Sequence, residues 1–456
     1  MTSPIRLIAV AAATLLAAPL AWSKATPSEI ERLGKDLTCV GAERAGNADG
    51  SIPPYAGKWL GAPQGVHHAS GQPYADPYAA DKPLFVISAA NAEQYAARLS
   101  DGQKALLKKY PQTFRMAVYP SRRDFRYADW VCDAAKKNAA GASIVDEGEG
   151  VDALTGAAPF PLPKTGFELL WNSMLPTRAW KEIATYDQAV VYPNGNIAEG
   201  RVKYDILAPA NDPNPKERPK TEGPQAHFFV TTLAPERNKG EIYVGQTYYN
   251  YKRNPSETWV YNPGTRRVRQ APQFGFDFPQ GPGGFRTVDD DRLFNGSPER
   301  YDWKIVGKRE VYIPYDAYRF DDPKLEYAEI LKTAGHVNPD VMRYELHRVW
   351  VLEAALKPNV RHSYAKRVFY IDEDTWHAVM ADSYDARGQL WRVGMQNYLY
   401  AYDMQAFQAR ALILHDLMSG AYLVDRMVNK QPVPKLNTGD LKPADFTPDA
   451  ARQAGR

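Results

Sequence analysis

From about Gly166 onward, apolar and polar positions alternate along the chain, and this alternation predicts a large antiparallel β-sheet. Short turn pairs that favour hairpins separate the alternating runs, namely Asn194-Gly195, Lys239-Gly240 and Pro263-Gly264. Strands joined by such short turns lie antiparallel beside each other. The predicted strand segments of this first half are residues 167–172, 189–207 with its internal turn, 227–233, 241–251 and 258–270.

The C-terminal half predicts four long neighbouring strands, at residues 343–357, 362–372, 377–385 and 389–402. Long adjacent strands twist and curl into a half-barrel instead of staying flat. Residues 403–419 then change to a helical spacing, so we expect a helix in or against the mouth of the curved sheet. The predicted fold class is therefore α+β, with a large curved antiparallel sheet that forms an incomplete β-barrel.

The segment before this sheet predicts helices and ordered loops, because polar capping residues precede several helical patterns. The helices are expected from Ser28 with Glu31 towards Leu37, from Ser88 through Leu99, from Ser100 and Asp101 to Tyr110, and from Ser121 with Asp124 to about Ala140. Residues 208–224 are rich in proline and predict a surface loop between strands. A linker between separate domains stays open as the alternative.

The first 23 residues have the pattern of a secretory signal peptide. A positive Arg6 precedes an apolar run from Leu7 to Leu20, and small residues follow at Ala21 and Ser23. The alternative, a membrane anchor, is less favoured because the run is shorter than the roughly 20 residues of a spanning helix. No cysteine follows the run directly to carry a lipid, so we expect a soluble periplasmic protein without a lipid anchor.

The expected organisation has four parts. These are a signal peptide at 1–23, an N-terminal helical and loop region at 24–165, the half-barrel at 166–430 and a C-terminal tail at 431–456.

Composition and charge narrow the classes of function. Aromatic residues form 12% of the chain, with 28 Tyr and 10 Trp, which favours a broad sheet with amphipathic faces. The formal net charge of +3 arises from intermixed acidic and basic residues and argues against nucleic acid as a partner. The two cysteines, Cys39 and Cys132, predict one disulfide in an exported chain, with two buried free thiols as the alternative.

Residues 343–354 mix charged side chains into what is otherwise the pattern of a buried strand. A tight hairpin at Pro358-Asn359 would pair this strand with residues 362–372 and give two faces. The first face is apolar except for Arg348 and Arg367, and it carries Tyr344, Leu346, Trp350, Leu352, Ala354, Phe369 and Ile371. The second face carries Glu345, His347, Glu353, Lys366 and Asp372.

An unpaired arginine in a closed apolar core costs several kcal/mol, whereas on a cavity wall it stays partly solvated or binds an anionic group. The first face therefore predicts a hydrophobic cavity for an amphipathic molecule, with Arg348 and Arg367 as polar anchors. The alternative is that each arginine pairs with a nearby acid such as Glu373 and closes the end of the barrel. The expected cavity lining is Trp171, Trp259, Tyr261, Arg348, Trp350, Leu352, Arg367 and Phe369.

The sequence contains no G-x-S-x-G, H-E-x-x-H, C-x-x-C or P-loop motif, and we predict no catalytic residues, no metal and no cofactor. Three consecutive acids, Asp372, Glu373 and Asp374, leave a periplasmic hydrolase or envelope-polymer enzyme open as an alternative. His347 and His362 permit a metal site with neighbouring acids, although satisfied polar residues are favoured. A rigid adaptor that carries nothing is the third class of function.

Five segments carry a resemblance to a known family: residues 37–57, 259–272, 289–315, 343–376 and 384–392. The chain resembles a large family of exported proteobacterial proteins known only as a domain of unknown function, whose fold is similar to the lipoprotein carriers LolA and LolB. The resemblance implies an incomplete antiparallel barrel around helices that holds acyl chains. Cys39 stands where the family pattern leads us to expect proline, so the disulfide would be particular to this chain.

The resemblance further implies action alongside an inner-membrane exporter of the resistance-nodulation-division type and an outer-membrane β-barrel protein. It implies no catalytic residue. We therefore expect a periplasmic, non-enzymatic carrier of a hydrophobic or lipid-like molecule between the two membranes.

Overall fold

The computed structural model describes residues 24–215, 220–255, 257–271 and 276–455. The predicted signal peptide, residues 1–23, lies outside the described residues. Within the described part of the chain, no helix combines the length and apolar character needed to cross a membrane.

The N-terminal region contains short helices and strands that pack on the main sheet. Its α-helices are α1 (Pro27–Ile30), α2 (Asp101–Lys109), α3 (Asp129–Gly141) and α4 (Gly166–Met174). Its strands are β1 (Phe85–Ile87), β2 (Met116–Val118), β3 (Ser143–Val145) and β4 (Gly150–Asp152).

Two antiparallel meanders follow and build most of the sheet. The first meander consists of β5 (Lys181–Val191), β6 (Ile197–Leu207), β7 (Pro224–Ala234), β8 (Ile242–Tyr248), β9 (Glu257–Asn262) and β10 (Arg267–Gln270). A small hairpin of β11 (Pro279–Gln280) and β12 (Arg286–Thr287) comes between the two. The second meander consists of β13 (Tyr301–Pro314), β14 (Tyr344–Leu356), β15 (Lys366–Asp372), β16 (Ala378–Tyr384), β17 (Leu390–Ala401), β18 (Ala406–Asp416) and β19 (Tyr422–Met427).

Short elements complete the fold. They are α5 (Tyr327–Ile330), β20 (Lys435–Leu436) and α6 (Pro448–Ala454). The 3-10 helices are Ala92–Arg98, Asp146–Gly148, Pro209–Asn211, Glu236–Asn238, Pro282–Gly284, Val288–Leu293, Pro298–Arg300, Ala317–Arg319, Pro339–Val341 and Pro443–Asp445. The segment predicted as a C-terminal tail thus adds one strand, which pairs with β5, and one helix, which packs on β8, β9 and β10.

In the described part of the chain, the large sheet contains 16 strands and is antiparallel throughout, apart from one parallel contact between β14 and β2. The two meanders join where β19 pairs with β5. Among the described strands, β10 pairs only with β9 and β13 only with β14, so the sheet is not closed. The predicted fold class, α+β with a large, curved, open antiparallel sheet, is confirmed.

One side of this sheet can be followed across the join between the meanders. Directly opposed residues share a face, and the opposed series runs through Leu352, Phe369, Ala381, Gly394, Leu414, Leu423, Val190 and Ala198. We call this side the Leu352 face. Within the first meander it continues through a second series, Ala184, Tyr204, Val230, Tyr243 and Val260.

The strand predicted at residues 167–172 is wrong, because these residues lie in α4. Thr165 caps the helix: the Glu168 backbone N–H donates to the Thr165 hydroxyl at 3.3 Å, and the Thr165 N–H donates to the Glu168 carboxylate at 3.2 Å. The run FELLWN is short and apolar, and such a run does not distinguish a buried helix from a buried strand. The capping box was the sequence signal that favoured the helix.

Replacing Thr165 by alanine is expected to lower the free energy of unfolding by about 1 kcal/mol, because α4 then loses its N-terminal cap. Ser173→Ala in the same helix is the matched control, since the Ser173 hydroxyl donates only to the Leu170 carbonyl within the helix. Urea unfolding followed by circular dichroism measures both. An equal change in the two variants would contradict the assigned role of the cap.

The helix predicted at residues 403–419 is also wrong, because β18 occupies residues 406–416. Every residue of β18 is buried, so both sides of the strand are covered by other parts of the protein. A strand that is buried on both sides loses the alternation by which strands are recognised, and its apolar positions then also match a helical spacing.

The N-terminal helices agree only in part with the prediction. The helix from Asp101 is confirmed, and Ser100 and Gln103 form its capping box. The helix expected from Ser121 begins at Asp129 instead, because the Ser121 hydroxyl donates to the Leu346 carbonyl and holds this segment along the sheet. The helix expected after Ser88 is a 3-10 helix over Ala92–Arg98, and the first capping box joins Thr26 and Glu29.

The register between β14 and β15 differs from the prediction by four positions. A tight hairpin placed Arg367 opposite Trp350, whereas Ile371 lies there. Residues 357–365 form a wider connection in place of the tight turn. Because the shift is even, each side chain stays on the face that the sequence predicted.

Candidate ligand-binding site

The aromatic residues predicted to line a cavity in the first half of the sheet lie in two separate packed clusters. Trp171 is fully buried on α4, where its indole N–H donates to the Gly148 carbonyl at 3.0 Å. Trp259 and Tyr261 lie on the side of β9 opposite the Leu352 face, beneath α6. The Tyr261 hydroxyl donates to the Gly455 carbonyl at 2.7 Å. These residues hold helices against the sheet.

On the second meander, a segment of the chain itself fills the Leu352 face. Arg367 is 1% exposed and pairs with Asp289 at 2.8 Å, and the Phe294 ring contacts the Phe369 ring edge-on with centroids 5.9 Å apart. Gly394 allows this approach, because a Cβ there would lie 2.6 Å from a Leu293 methyl group. Arg367 and Phe369 therefore contact residues 289–294 of the same chain, and Leu352 is fully buried on the same face.

The remaining predicted residues, Arg348 and Trp350, contact the N-terminal region and the β15–β16 turn. The Arg348 guanidinium donates to the Ala45 carbonyl at 2.9 Å and lies 3.4 Å from the Glu373 carboxylate. Trp350 stacks on Trp376 with ring centroids 6.4 Å apart. The structure therefore does not bring the eight predicted lining residues together around one cavity, and both predicted arginine anchors have acidic partners.

The charged groups of residues 343–354 form a buried network on β14. Arg343 pairs with Glu345 at 2.6 Å and with Asp81 at 2.9 Å. The His347 ring lies between two carboxylates, 3.3 Å from Glu345 and 3.4 Å from Asp372. Burial alone would lower the pKa of His347, but these two partners outweigh burial and raise it to about 10. The imidazole is therefore protonated at neutral pH.

The network continues into the β15–β16 turn through Arg123, which is bidentate to Asp374 at 2.7 and 2.8 Å. Burial would raise the pKa of Asp374, but the charge of Arg123 holds it below its usual value. Glu373 lies 2.8 Å from Lys308, and its burial, together with the neighbouring Asp374, raises its pKa to about 7. Polar groups in β14 and the following turn thus attach the N-terminal region to the sheet.

Ligand atoms of His347, Asp372 and Asp374 lie within 4.8 Å of one another, which is close enough for a metal site. A protonated imidazole offers no lone pair to a metal, however, and Asp374 already carries a bidentate arginine. The donor set therefore suits an ion-pair network better than a metal centre.

The Leu352 face has a different character on the first meander, where its apolar side chains are only half-buried. Every residue of β16, β18 and β19 is buried, whereas most residues of β6 and β7 are not. We call the half-buried apolar side chains the open patch; they are Val202, Tyr204, Ile206, Phe228, Val230, Tyr243 and Val260. The open patch extends over four adjacent strands.

The opposite side of the same strands carries ion pairs. Arg201 lies 2.6 Å from Asp187, and Lys203 lies 2.8 Å from Asp205. On β5 and β6 the reverse side is therefore charged, whereas on β8 and β9 it carries the apolar cluster beneath α6. The alternation of Val202, Tyr204 and Ile206 with Arg201, Lys203 and Asp205 was visible in the sequence, and it could have identified the open patch.

A small pocket lies at one end of these strands, with a cavity volume of about 20 Å³, which is room for about one water molecule. Its lining includes Arg178 before β5, Asn211 after β6, Gln225 in β7 and Tyr249 after β8. No sequence motif marked Arg178 or Tyr249, because neither belongs to a recognisable pattern.

The two cysteines are far apart in sequence and adjacent in the fold. Cys39 and Cys132 form a disulfide with a Cα–Cα distance of 5.0 Å, which connects the first loop to α3.

Comparison with known proteins identifies relatives of the chain. The model of a family described as "Protein of unknown function (DUF1329)" matches residues 86–452. A Pseudomonas aeruginosa protein named "Uncharacterized protein PA3922" is 41% identical over 452 residues, which cover 98% of this chain and 97% of that protein.

Two crystal structures are similar to the chain at low identity. A DUF1329 family protein from Desulfovibrio piger is 14% identical, with a TM-score of 0.38, and the match covers 60% of this chain and 92% of that one. A LolA superfamily protein from Nitrosomonas europaea is 14% identical, with a TM-score of 0.36, and the match covers 63% of this chain and 100% of that one. At TM-scores below 0.5, neither structure indicates what this chain binds.

Proposed function

The chain belongs to the DUF1329 family of proteins of unknown function, and we propose that it is a binding protein that carries a hydrophobic or lipid-like molecule on the open patch. The observation that carries this proposal is the half-buried apolar row over β6, β7, β8 and β9, which contrasts with the fully buried strands of the second meander.

The binding energy would come from apolar area removed from water. Covering such area contributes about 25 cal/mol per Å², or roughly 0.8 kcal/mol for each buried methylene of an acyl chain. A ligand with a long acyl chain can therefore bind without any covalent chemistry. The half-buried state of the open patch leaves that area available to a ligand.

The alternative of a hydrolase rests on Asp372, Glu373 and Asp374, and their surroundings favour a structural role. The three carboxylates face His347, Lys308 and Arg123 respectively at ion-pair distance. Asp372 and Glu373 are 0% and 1% exposed. Acids that are buried and paired in this way attach the N-terminal region to the sheet.

The place of action belongs to the same proposal. The signal-peptide pattern of residues 1–23 supports export to the periplasm. The partners expected there are an inner-membrane exporter of the resistance-nodulation-division type and an outer-membrane β-barrel protein. A purely adaptor role, the third class, would leave the open patch without a ligand and is distinguished by the experiment below.

Replacing Val230 by glutamate is expected to weaken binding of an anthroyloxy-labelled stearate at least about tenfold, because a charge would face the acyl chain across the open patch. Thr231→Glu is the matched control, since Thr231 is the next residue of β7 and is also half-buried but lies on the opposite side. The control is expected to stay within about twofold of the wild-type affinity.

Fluorescence titration of the purified protein measures both affinities, and thermal unfolding checks that both variants fold. Absence of binding by the wild-type protein would support the adaptor and end the carrier proposal. Equal weakening by both substitutions would show that the ligand does not lie on the open patch.

A further inference from the structure

The pocket beside Arg178 lies at the same end of the sheet as several residues of the open patch. Arg178 lies three residues before β5, and Tyr249 directly follows β8. Gln225 of β7 lines the pocket three residues before Phe228 of the open patch. Ile206 and Phe228 are the paired open-patch residues nearest this end.

Arg178 is a cation without an acidic partner. Among the described residues, no carboxylate oxygen lies within ion-pair distance of its guanidinium, and no side-chain hydrogen bond joins it to the protein. Its own backbone N–H donates to the Asn211 side-chain oxygen at 3.3 Å, which fixes the start of β5 beside the pocket. Burial, and then the positive charge of nearby Arg292, lower the pKa of Arg178 to about 9, so it stays protonated at neutral pH.

The neighbouring Arg292 also lacks an acidic partner within ion-pair distance in the described part of the chain. The nearby cation Arg426 differs, because it pairs with Asp291 at 2.6 Å. The positive charge of Arg292 acts unfavourably on that of Arg178, and an anion beside Arg178 would offset it.

Tyr249 supplies a second, independent sign of a ligand. It is 3% exposed, it lines the pocket, and its hydroxyl is buried without a hydrogen-bond partner in the described structure. A buried hydroxyl without a partner is destabilising, so native structures usually satisfy it. A ligand oxygen in the pocket would accept a hydrogen bond from this hydroxyl.

We infer that Arg178 and Tyr249 bind the acidic group, a carboxylate or a phosphate, of an anionic ligand whose apolar chain lies on the open patch, with one acidic oxygen taking the volume of about one water molecule that the pocket provides. The placement of the apolar chain on the open patch rests on the proposed carrier function. The binding of the acidic group rests on the pocket alone. A guanidinium donates two parallel hydrogen bonds to a carboxylate or phosphate, and such charge-assisted bonds are about twice as strong as neutral ones. A phenol hydroxyl adds a third donor to the same oxygen atoms.

The test compares ligands that share one apolar chain and differ in the head group: dodecanoate, dodecyl phosphate and the neutral dodecanol. Isothermal titration calorimetry with the wild-type protein is expected to show the two anionic ligands binding at least about tenfold more tightly than dodecanol. Arg178→Gln is expected to abolish this preference and to leave dodecanol within about twofold. Arg178→Lys, which keeps the charge, is expected to restore part of it.

Two further variants separate the pocket from general charge and folding effects. Tyr249→Phe removes only the hydroxyl and is expected to weaken the anionic ligands by roughly three- to tenfold. Arg237→Gln is the matched control, because Arg237 is an exposed arginine in the connection at the other end of β7 and β8. It is expected to change no affinity beyond about twofold.

Inorganic phosphate and acetate, which have no chain, distinguish a lipid head group from a free anion. If phosphate alone binds as tightly as dodecyl phosphate and depends on Arg178, the pocket is confirmed as an anion site while the carrier function fails. If the preference for anionic ligands persists in Arg178→Gln, the pocket inference is overturned, and a weakening by Val230→Glu then still supports the carrier.

Discussion

Replacing Arg123 by methionine is expected to lower the free energy of unfolding by about 3–5 kcal/mol. The Arg123 side chain is 1% exposed and bidentate to Asp374, and it also donates to the Glu43 carbonyl at 2.6 Å. Methionine fills much of the same space but leaves the Asp374 carboxylate buried without its partner. The loss of the partner, more than the loss of packing, produces the large effect. Urea unfolding at neutral pH measures it.

Arg115→Met provides the control for the Arg123 prediction. Arg115 also pairs with an aspartate, Asp340, but the two side chains are 43% and 49% exposed. Exposed ion pairs contribute about 0–1 kcal/mol, so the control is expected to lose no more than that. If both variants lost the same stability, the buried network would not be what attaches the N-terminal region.

A double substitution separates pairing from burial. Arg123→Met combined with Asp374→Leu removes both charges, and it is expected to recover part of the stability lost in the single variant. Limited proteolysis adds a structural readout, because weaker attachment exposes the segment around Arg123 before the sheet unfolds. A double variant less stable than Arg123→Met would contradict this account.

The sequence was sufficient to predict a large antiparallel sheet and the two faces of β14 and β15. Alternation along residues 343–372 placed Leu352 and Phe369 on one face and His347 and Asp372 on the other, and both assignments hold. The register was off by four positions because the connection at 357–365 is not a tight turn, and loop geometry is set by contacts that alternation does not encode. The errors at α4 and β18 have the same origin, since short or fully buried apolar runs lack a distinctive period.

The site was harder to predict than the fold. The sequence indicated arginines on an apolar face, and it left open whether Arg348 and Arg367 would meet a ligand or native acids. Their partners, Glu373 and Asp289, come from different parts of the chain, so only the tertiary structure could decide. Arg178 is the opposite case. It is a candidate ligand-binding residue because it has no acidic partner within the described residues.

His347 makes the stability of the protein depend on pH. Its ring contacts Glu345 and Asp372, lies tilted against the Tyr315 ring with centroids 4.1 Å apart, and lies near the Asp374 and Asp316 carboxyl groups. The carboxylates raise its pKa from an ordinary 6.5 to about 10. The folded state therefore binds a proton that the unfolded state has released above pH 6.5. This contribution is fully present below that pH and is lost as the pH rises through about 10.

Between pH 8 and pH 9.5 the free energy of unfolding is accordingly expected to fall by about 2 kcal/mol, at roughly 1.4 kcal/mol per pH unit. The window begins at pH 8 because the carboxyl groups of Glu373 and Asp382, each with a pKa raised to about 7, have largely titrated by then. Urea midpoints measured at several pH values test this. His347→Gln keeps a polar side chain without the titration, so the variant is expected to be less stable at pH 8 but nearly independent of pH across the window. A slope that survives in the variant would assign the proton to another group and remove His347 from this role.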